Sequence, residues 1–312
     1  MAAGTSLRQA LEFALVRAIA AVVRLLPMPA VRATGAALGR AAYRVDRFHR
    51  RVALDNLAHA FPSKTVEERR ELARAMFAHF GSLLLELIKF GALSDEEMLA
   101  RVESEGAERA RHAYEKGRGV LFFTGHFGYW EMHAIAHALS GHSVAMLARP
   151  LDNPRLHEWL EHIRTRTGNS VIYRQGAIRK VLRELAANRG IAILIDQHLH
   201  TPDAVYVDFF RRPAATTSAL AALALRTGAP VIPVFALPLP QGRYRLIYEH
   251  PVEPPRENTP DAVREFTQRC TDVLEMYVRR HPHLWLWMHR RWRERDPALA
   301  GTLSLDEAEV DA

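Results

Sequence analysis

The stretch VLFFTGHFGYWE, residues 120–131, decides the fold expected for this chain and the place of its chemistry. Its first five residues are a largely apolar run of strand length, which predicts a buried strand. The strand delivers His126 to its carboxyl end, and Gly125 and Gly128 favour a loop before a helix begins. Ligands of open α/β sheets bind at this edge, where the first helical amides favour developing negative charge. We therefore expect a functional site around His126.

His126 and Glu131 are five positions apart. On one regular helix they would point roughly 140° apart, so they can meet only if His126 lies in the loop and Glu131 in the following helix. Glu131 would then accept from one ring nitrogen of His126 and fix its tautomer. The other nitrogen would be free to take a proton from a hydroxyl, which predicts a base with an orienting partner.

The rest of the chain predicts an α/β fold with a mixed, mostly parallel sheet covered by helices. Thr65 with Glu68 forms a capping box for a helix to about Phe90, and Ser94 with Glu97 forms a second capping box for the next short helix. Strands are predicted at 120–124, 143–147, 171–173, 191–195 and 231–237, with 244–249 antiparallel to the last. Helices are predicted after the loop to about 140, and at 155–167, 177–188, 214–227 and 260–280.

The longest apolar stretch, 13–26, is too short for a spanning helix and contains Arg17 and Arg24. The two arginines share one helical face, which is typical of a helix lying in a membrane interface with its cations toward the headgroups. The alternative is a soluble amphipathic helix packed on the rest of the protein. No small-residue cleavage site follows, so a signal peptide is not expected, and the flanking arginines favour a cytoplasmic face. We expect a membrane-associating region at 1–60, a catalytic domain at 61–297 and an acidic disordered tail at 298–312.

The composition is that of a globular protein with a basic surface. The chain has 312 residues, 48% of them hydrophobic, and 42 Lys+Arg against 35 Asp+Glu, for a formal charge of +7. The hydrophobic fraction excludes intrinsic disorder. The single cysteine, Cys270, excludes an internal disulfide and indicates a reducing compartment. Nearly all the positive charge is arginine, which suits phosphates and anionic lipid, although a GC-rich genome would also favour arginine.

Beyond these patterns, GHFGYWE resembles the H-x4-E motif of the lysophospholipid acyltransferase superfamily, and specifically of the lipid A biosynthesis late acyltransferases of lauroyl and myristoyl type. The similarity runs from about residue 6 to 297. Members often carry glycine at Arg211 and asparagine at Gly125, and these two departures concern acceptor choice and loop shape. The supporting segments occur in the family's order: LDNLAHAFPSKTVEER at 54–69, ARPLDNPRL at 148–156, RTRTG at 164–168, DQ at 196–197, DFFRRPAATT at 208–217 and WLWMHRRWRER at 285–295.

The resemblance implies a cofactor-free transfer of a fatty acyl group from an acyl carrier protein thioester to a hydroxyl of a lipid A precursor. It places the enzyme at the cytoplasmic side of the inner membrane. His126 would be the general base and Glu131 its orienting partner. Another glycolipid or an aminolipid is the alternative acceptor, and a membrane lipid-binding protein with an inactive pair is the alternative function.

Further site residues follow from the same resemblance. Arg149, Arg164 and Arg166 would contact phosphate or an oxyanion, although the last two could instead form the solvated face of a helix. Asp196 and Gln197 match a block near the substrate. Asp196 ends an apolar strand, where burial of a carboxylate requires a partner, for which we expect an arginine.

The resemblance also implies roles for two groups of aromatic and basic residues. Phe209 and Phe210 could line an acyl groove, or equally belong to the core. A basic and aromatic patch at the C-terminus suggests docking of the donor or of a phosphorylated lipid, with single-stranded nucleic acid as the disfavoured alternative because no nucleic-acid motif accompanies it. The patch consists of His289, Arg290, Arg291, Arg293 and Arg295 with Trp285, Trp287 and Trp292 between them.

Three rival chemistries are weaker. His133 and His137 lie four apart on a helix, but no HExxH pattern accompanies them, and we expect no metal. The run 141–145 lacks the second glycine of a nucleophile elbow and precedes a strand instead of following one. Cys270 lies within a predicted helix and is expected in the core.

Overall fold

The computed structural model describes residues 6–173, 176–199, 201 and 204–293. Helices occupy the first third of the chain, and both capping boxes predicted from the sequence are present, at Thr65 with Glu68 and at Ser94 with Glu97. The helices are α1 (Leu7–Leu25), α2 (Met28–Val45), α3 (Arg47–Ala60), α4 (Val66–Phe90) and α5 (Asp95–Leu99).

A seven-stranded sheet forms the centre of the molecule. Its strands are β1 (Val102–Glu105), β2 (Val120–Thr124), β3 (Val144–Ala148), β4 (Ser170–Tyr173), β5 (Gly190–Leu194), β8 (Val231–Leu239) and β9 (Arg243–Tyr248). They lie in the order β1-β9-β8-β2-β5-β3-β4, and every neighbouring pair is parallel except β8 with β9. The predicted mixed, mostly parallel sheet is confirmed. The order also places β5 directly beside β2, with Leu194 opposite Thr124.

Helices cover both faces of the sheet. They are α6 (Ala107–Tyr114), α7 (Trp130–Leu139), α8 (Pro154–Thr165), α9 (Ala177–Ala186), α10 (Ala219–Thr227) and α11 (Pro260–Arg280). Side chains of β2 alternate between the two faces, as the period of a strand requires. Leu121 and Phe123 pack in a core with α9, α10 and α11, whereas Val120 and Phe122 pack in a second core with α1, α6 and α7.

One predicted helix is partly wrong. The segment 214–227 was expected to be continuous helix because its run of alanines and leucines favours one. Instead, β6 (Ala204–Phe209) and β7 (Arg212–Thr217) form an antiparallel hairpin, and α10 begins only at Ala219. The carbonyl of Ala215 and the hydroxyl of Thr216 accept hydrogen bonds from Arg291, so a tertiary contact overrides the local helix propensity.

The N-terminal helices are attached closely to the rest of the protein. Gly39 of α2 lies so near α4 that a Cβ would collide with the Phe77 carbonyl, which explains the glycine. Asn56 of α3 donates to the carbonyls of Trp287 and His289, both at 2.8 Å. Within the part of the chain that the structure describes, no helix is both long and apolar enough to cross a membrane.

Candidate active site

His126 lies in the loop between β2 and α7, as the sequence predicted. The loop is fixed by the segment that follows α11: Gly128 N–H donates to the Leu284 carbonyl at 2.9 Å, and Leu286 N–H donates to the His126 carbonyl at 3.1 Å. Gly128 adopts φ +57°, and a Cβ there would collide with the Ala236 carbonyl. A glycine is therefore required for this turn to reach its position against β8.

Asp196 is the carboxylate that holds His126. It follows β5, and because β5 neighbours β2 the two strand ends meet at one edge of the sheet. His126 Nδ1 lies 2.8 Å from Asp196 Oδ1, and the backbone N–H of His126 donates to Oδ2 at 2.7 Å. Trp285 Nε1 donates to the same Oδ2 at 2.8 Å. The predicted arginine partner of Asp196 is thus replaced by a histidine and a tryptophan.

The charges of this pair stabilise each other. Burial raises the pKa of Asp196, but the charge of His126 and the hydrogen bonds from His126 and Trp285 outweigh it and lower that pKa to about 2. Burial lowers the pKa of His126, but Asp196 and the charge of Glu131 outweigh burial and raise it above its ordinary value. The ionised Asp196 accepts a hydrogen bond from the N–H at Nδ1 of His126. The other ring nitrogen, Nε2, is then unprotonated in the neutral imidazole and can accept a proton.

The second ring nitrogen of His126 faces a cavity. The amide nitrogen of Gln197 lies 3.4 Å from His126 Nε2, and the Trp130 ring contacts the imidazole edge to face, with centroids 5.2 Å apart. All three side chains line the cavity. A hydroxyl placed there would meet a ring nitrogen able to accept its proton.

Glu131 does not bond to His126, which corrects the pairing expected from the H-x4-E spacing. Its two carboxylate oxygens accept from Arg164 of α8, with Nε donating to Oε2 at 3.0 Å and Nη2 donating to Oε1. Glu131 is buried and Arg164 is 19% exposed. The bidentate ion pair connects α7 to α8 across the cavity. It engages both oxygens of Glu131, the residue predicted from the sequence as the orienting partner of His126.

The other predicted substrate residues divide into two groups. Arg149 and Gln197 line the cavity with Arg164. Arg166 lies elsewhere: it donates to the carbonyls of Gly91 and Leu93 and pairs with Asp95 at 3.0 Å, so it fastens the end of α8 to the turn after α4.

Phe209 and Phe210 lie in the hydrophobic core and do not line the cavity. The core alternative given for this pair is therefore the one that the structure supports. Their aromatic neighbours include Trp285, Trp287 and Trp292.

The expected C-terminal surface patch is wrong for its tryptophans and for one arginine. Trp285, Trp287 and Trp292 are buried. Arg291 is 1% exposed and donates to the carbonyls of Ala215 and Gln197 and to the Thr216 hydroxyl. Burial lowers the pKa of Arg291 to about 10. Arg290 and Arg293 are exposed, and Arg295 lies outside the described residues.

The cavity measures about 770 Å³ and lies between the carboxyl ends of the central strands and helices α7 and α8. Much of its wall is aliphatic, from Met146, Leu147, Leu151, Leu160, Ile172 and Leu199. Thr124 and His133 also line it, and their buried atoms Thr124 Oγ1 and His133 Nε2 have no hydrogen-bond partner among the residues described. The shape suits a long apolar chain, with polar groups concentrated near His126.

The two histidines of α7, His133 and His137, are buried. His137 bridges two buried tyrosines, with its Nε2 3.0 Å from the Tyr114 hydroxyl and its Nδ1 2.7 Å from the Tyr248 hydroxyl. Burial lowers the pKa of His133 to about 3. Across residues 6–293, apart from the five undescribed positions, no group of three or more His, Cys, Asp or Glu side chains could hold a metal.

The site combines a histidine bonded to a buried carboxylate with a long, largely apolar cavity, and this arrangement is typical of enzymes that act on substrates with an aliphatic chain. This chain belongs to the bacterial lipid A biosynthesis acyltransferase family, whose sequence profile matches residues 4–294, and it is an acyltransferase.

Named relatives agree with this family. The chain is 27% identical over 274 residues to the lipid A biosynthesis lauroyltransferase of Escherichia coli (strain K12), covering 86% of this chain and 87% of that protein. It is 26% identical to the lipid A biosynthesis myristoyltransferase of the same organism, covering 84% and 80%. It is 24% identical to the phosphatidylinositol mannoside acyltransferase of Mycolicibacterium smegmatis, covering 76% and 77%.

Proposed function

We propose that this enzyme transfers a fatty acyl chain from an acyl carrier protein thioester to a hydroxyl of a lipid A-type acceptor. The observation that carries the proposal is the orientation of His126, with Nδ1 bonded to Asp196 and Nε2 directed into an apolar cavity. In this proposal His126 is the general base and Asp196 its positioning residue.

The reaction balances without a covalent enzyme intermediate. The acceptor hydroxyl gives its proton to His126 Nε2 while its oxygen attacks the thioester carbonyl, forming a tetrahedral oxyanion. The C–S bond then breaks, the ester forms, and the imidazolium returns the proton to the departing thiolate. The fixed carboxylate of Asp196 stabilises the imidazolium between the two proton transfers.

The cavity also carries the groups needed for the oxyanion. The amide of Gln197 is 3.4 Å from His126 Nε2, close to where the reacting oxygens would lie, and Arg149 adds positive charge to the same wall. Such preorganised donors contribute a large share of catalysis in acyl transfer. Glu131 and Arg164 shape the site as an ion pair, and the charge of Glu131 raises the pKa of His126.

The identities of the acceptor and the donor are proposed mainly from the similarity to the named relatives. Two of the relatives are named for lipid A and one for phosphatidylinositol mannoside, so a different glycolipid is the second candidate acceptor. The exposed arginines Arg290 and Arg293 are suited to an acidic carrier protein, whereas buried Arg291 is not.

We propose the cytoplasmic side of the inner membrane as the site of action, and the N-terminal region supports attachment to a membrane. A stripe of exposed apolar side chains follows α1, with Leu7 78%, Leu15 64% and Leu25 87% exposed. An amphipathic helix with such a face binds at a membrane interface. We assign membrane attachment to 1–60 and acyl transfer to 61–297. The predicted disordered tail, 298–312, lies outside the described residues.

The test is mass spectrometry of membrane lipids from native cells that carry the wild type, His126→Ala or no copy of the gene. We expect a lipid heavier by one acyl residue, less water, only with the wild type, and its mass identifies acceptor and chain length. Purified enzyme with acyl carrier protein or coenzyme A thioesters then identifies the donor. Identical lipid profiles, with both forms folded and expressed, would favour a lipid-binding protein instead.

A further inference from the structure

A second cavity, separate from the catalytic one, lies where α1 crosses α8 and the end of α4. It measures about 230 Å³ and is lined by Arg17 and Arg24 of α1, by Trp159, His162 and Ile163 of α8, and by Ile88 of α4 with Gly91 just after it. Its lining, among the residues that the structure describes, contains no acidic side chain. Arg17 and Arg24 are exposed, and the described residues supply neither guanidinium with an ion-pair partner.

The position of α1 is set on both sides of this cavity. At its start, Asn153 Nδ2 donates to the Gln9 carbonyl at 2.9 Å, and Arg155 lies over the Phe13 ring. At its end, Lys89 Nζ donates to the Arg24 carbonyl at 2.6 Å and places a third cation beside the cavity. The backbone of α1 is therefore fixed against α4 and α8, which sets where the two arginine side chains begin.

The surface around the cavity has the chemistry of a lipid. Arg17 and Arg24 are seven residues apart and so lie on one flank of α1, between its buried face and its exposed apolar stripe. Between that flank and the stripe lie the exposed small residues Ala14 and Ala21. A phosphate at the arginines would leave room for its glycerol and acyl chains to pass over the alanines toward Leu15 and Val22. Trp159, half-buried at the same level, is of the type enriched at membrane interfaces.

From this juxtaposition we infer that the cavity between α1 and α8 binds the phosphate headgroup of an anionic glycerophospholipid of the bilayer. The inference rests on the proposed membrane attachment and adds a lipid-selective site to it. Since α8 carries Trp159 and His162 toward this cavity and Leu160 and Arg164 toward the catalytic one, the bound lipid would fix the catalytic cavity relative to the membrane.

The test uses full-length enzyme and acceptor-free vesicles, either pure phosphatidylcholine or with phosphatidylglycerol added, in a sedimentation assay. The variant is Arg17→Gln/Arg24→Gln. The control, Arg179→Gln/Arg183→Gln, removes the same charge from α9, which packs in the other core. We expect the wild type to prefer the anionic vesicles and the variant to lose about 30-fold in that affinity, at about 1 kcal/mol per arginine. The control should keep the preference.

His162→Glu, which puts a carboxylate at the cavity, should weaken binding to anionic vesicles in the same direction. Urea midpoints show whether each variant is folded. Equal binding of the wild type to both vesicle types, or equal losses in the variant and the control, would overturn the headgroup site alone. Absence of binding to either vesicle would also overturn membrane attachment. Acyl transfer to a detergent-dispersed acceptor is measured in parallel, and its failure in the wild type would concern the catalytic proposal alone.

Discussion

Replacing Asp196 by asparagine tests the assignment of the base and its partner. Asp196 Oδ2 accepts two hydrogen bonds, from the backbone N–H of His126 and from Trp285 Nε1, and both groups can only donate. The amide oxygen of the introduced asparagine must therefore occupy that position. Its NH2 group is then forced to face His126 Nδ1.

The consequence is a change of tautomer. Facing a donor, Nδ1 must accept, so the proton of the neutral imidazole moves to Nε2, and the nitrogen facing the cavity can no longer act as a base. The same change in Ser-His-Asp triads lowers kcat by roughly 10⁴-fold. We expect a loss of about 10³- to 10⁴-fold, equivalent to about 4–5 kcal/mol of transition-state stabilisation.

The assay is transfer of a labelled acyl chain from carrier protein to the acceptor, with product separated by chromatography. Asp208→Asn is the matched control because Asp208 is an exposed carboxylate at the end of β6. It should leave kcat within about twofold of the wild type. If folded Asp196→Asn retained a tenth or more of wild-type kcat, the assignment of Asp196 as the positioning residue would be refuted.

Two further predictions concern the charged residues around the site. In the wild type, kcat should fall as the pH drops below the raised pKa of His126, because a protonated ring cannot accept a proton. Glu131→Gln removes a charge that raises this pKa, so the acidic limb of the pH–kcat profile should move to lower pH. An acidic limb at the wild-type pH would contradict this role of Glu131. Arg291→Met should lower the free energy of unfolding in urea by about 3 kcal/mol, because the buried acceptors of Arg291 lose their donor. The exposed control Arg293→Gln should change that free energy by under about 0.5 kcal/mol. An Arg291→Met variant with the wild-type free energy of unfolding would contradict the role of Arg291 as a buried hydrogen-bond donor.

Local patterns in the sequence were sufficient for most of the fold. The capping box at Thr65 and the alternation of strands and helices after Gly119 depend on neighbours in the chain, and the structure confirms them. The predicted helix began too early because Ala214 and Ala215 favour a helix, whereas a contact from Arg291 holds this stretch in β7. No element was predicted for β6 at 204–209. Propensity cannot register a partner 75 residues away.

The C-terminal segment shows a related limit. In WLWMHRRWRER the tryptophans and arginines alternate without a helical or strand period, so nothing in the order of residues tells inside from outside. Between α11 and Arg293, where the described residues end, the chain forms a short 3-10 turn at Pro282–Leu284 and no further helix or strand. Trp285 faces Asp196 and Arg291 faces the hairpin, so a segment that looks like a binding surface is instead part of the support of the active site.

The identity of the carboxylate that holds His126 depends on strand order, which a spacing rule cannot supply. In the sequence, β5 follows β2 after two intervening strands, yet in the sheet β5 lies between β2 and β3. This order brings Asp196 to the loop of His126, while Glu131, only five residues away, lies in the first turn of α7 and pairs with Arg164. The H-x4-E motif therefore locates the histidine that we propose as the base, and the topology determines which carboxylate bonds to it. Trp285, 89 residues further along the chain, adds a hydrogen bond to Asp196, so the surroundings of His126 are assembled from three distant segments of the sequence.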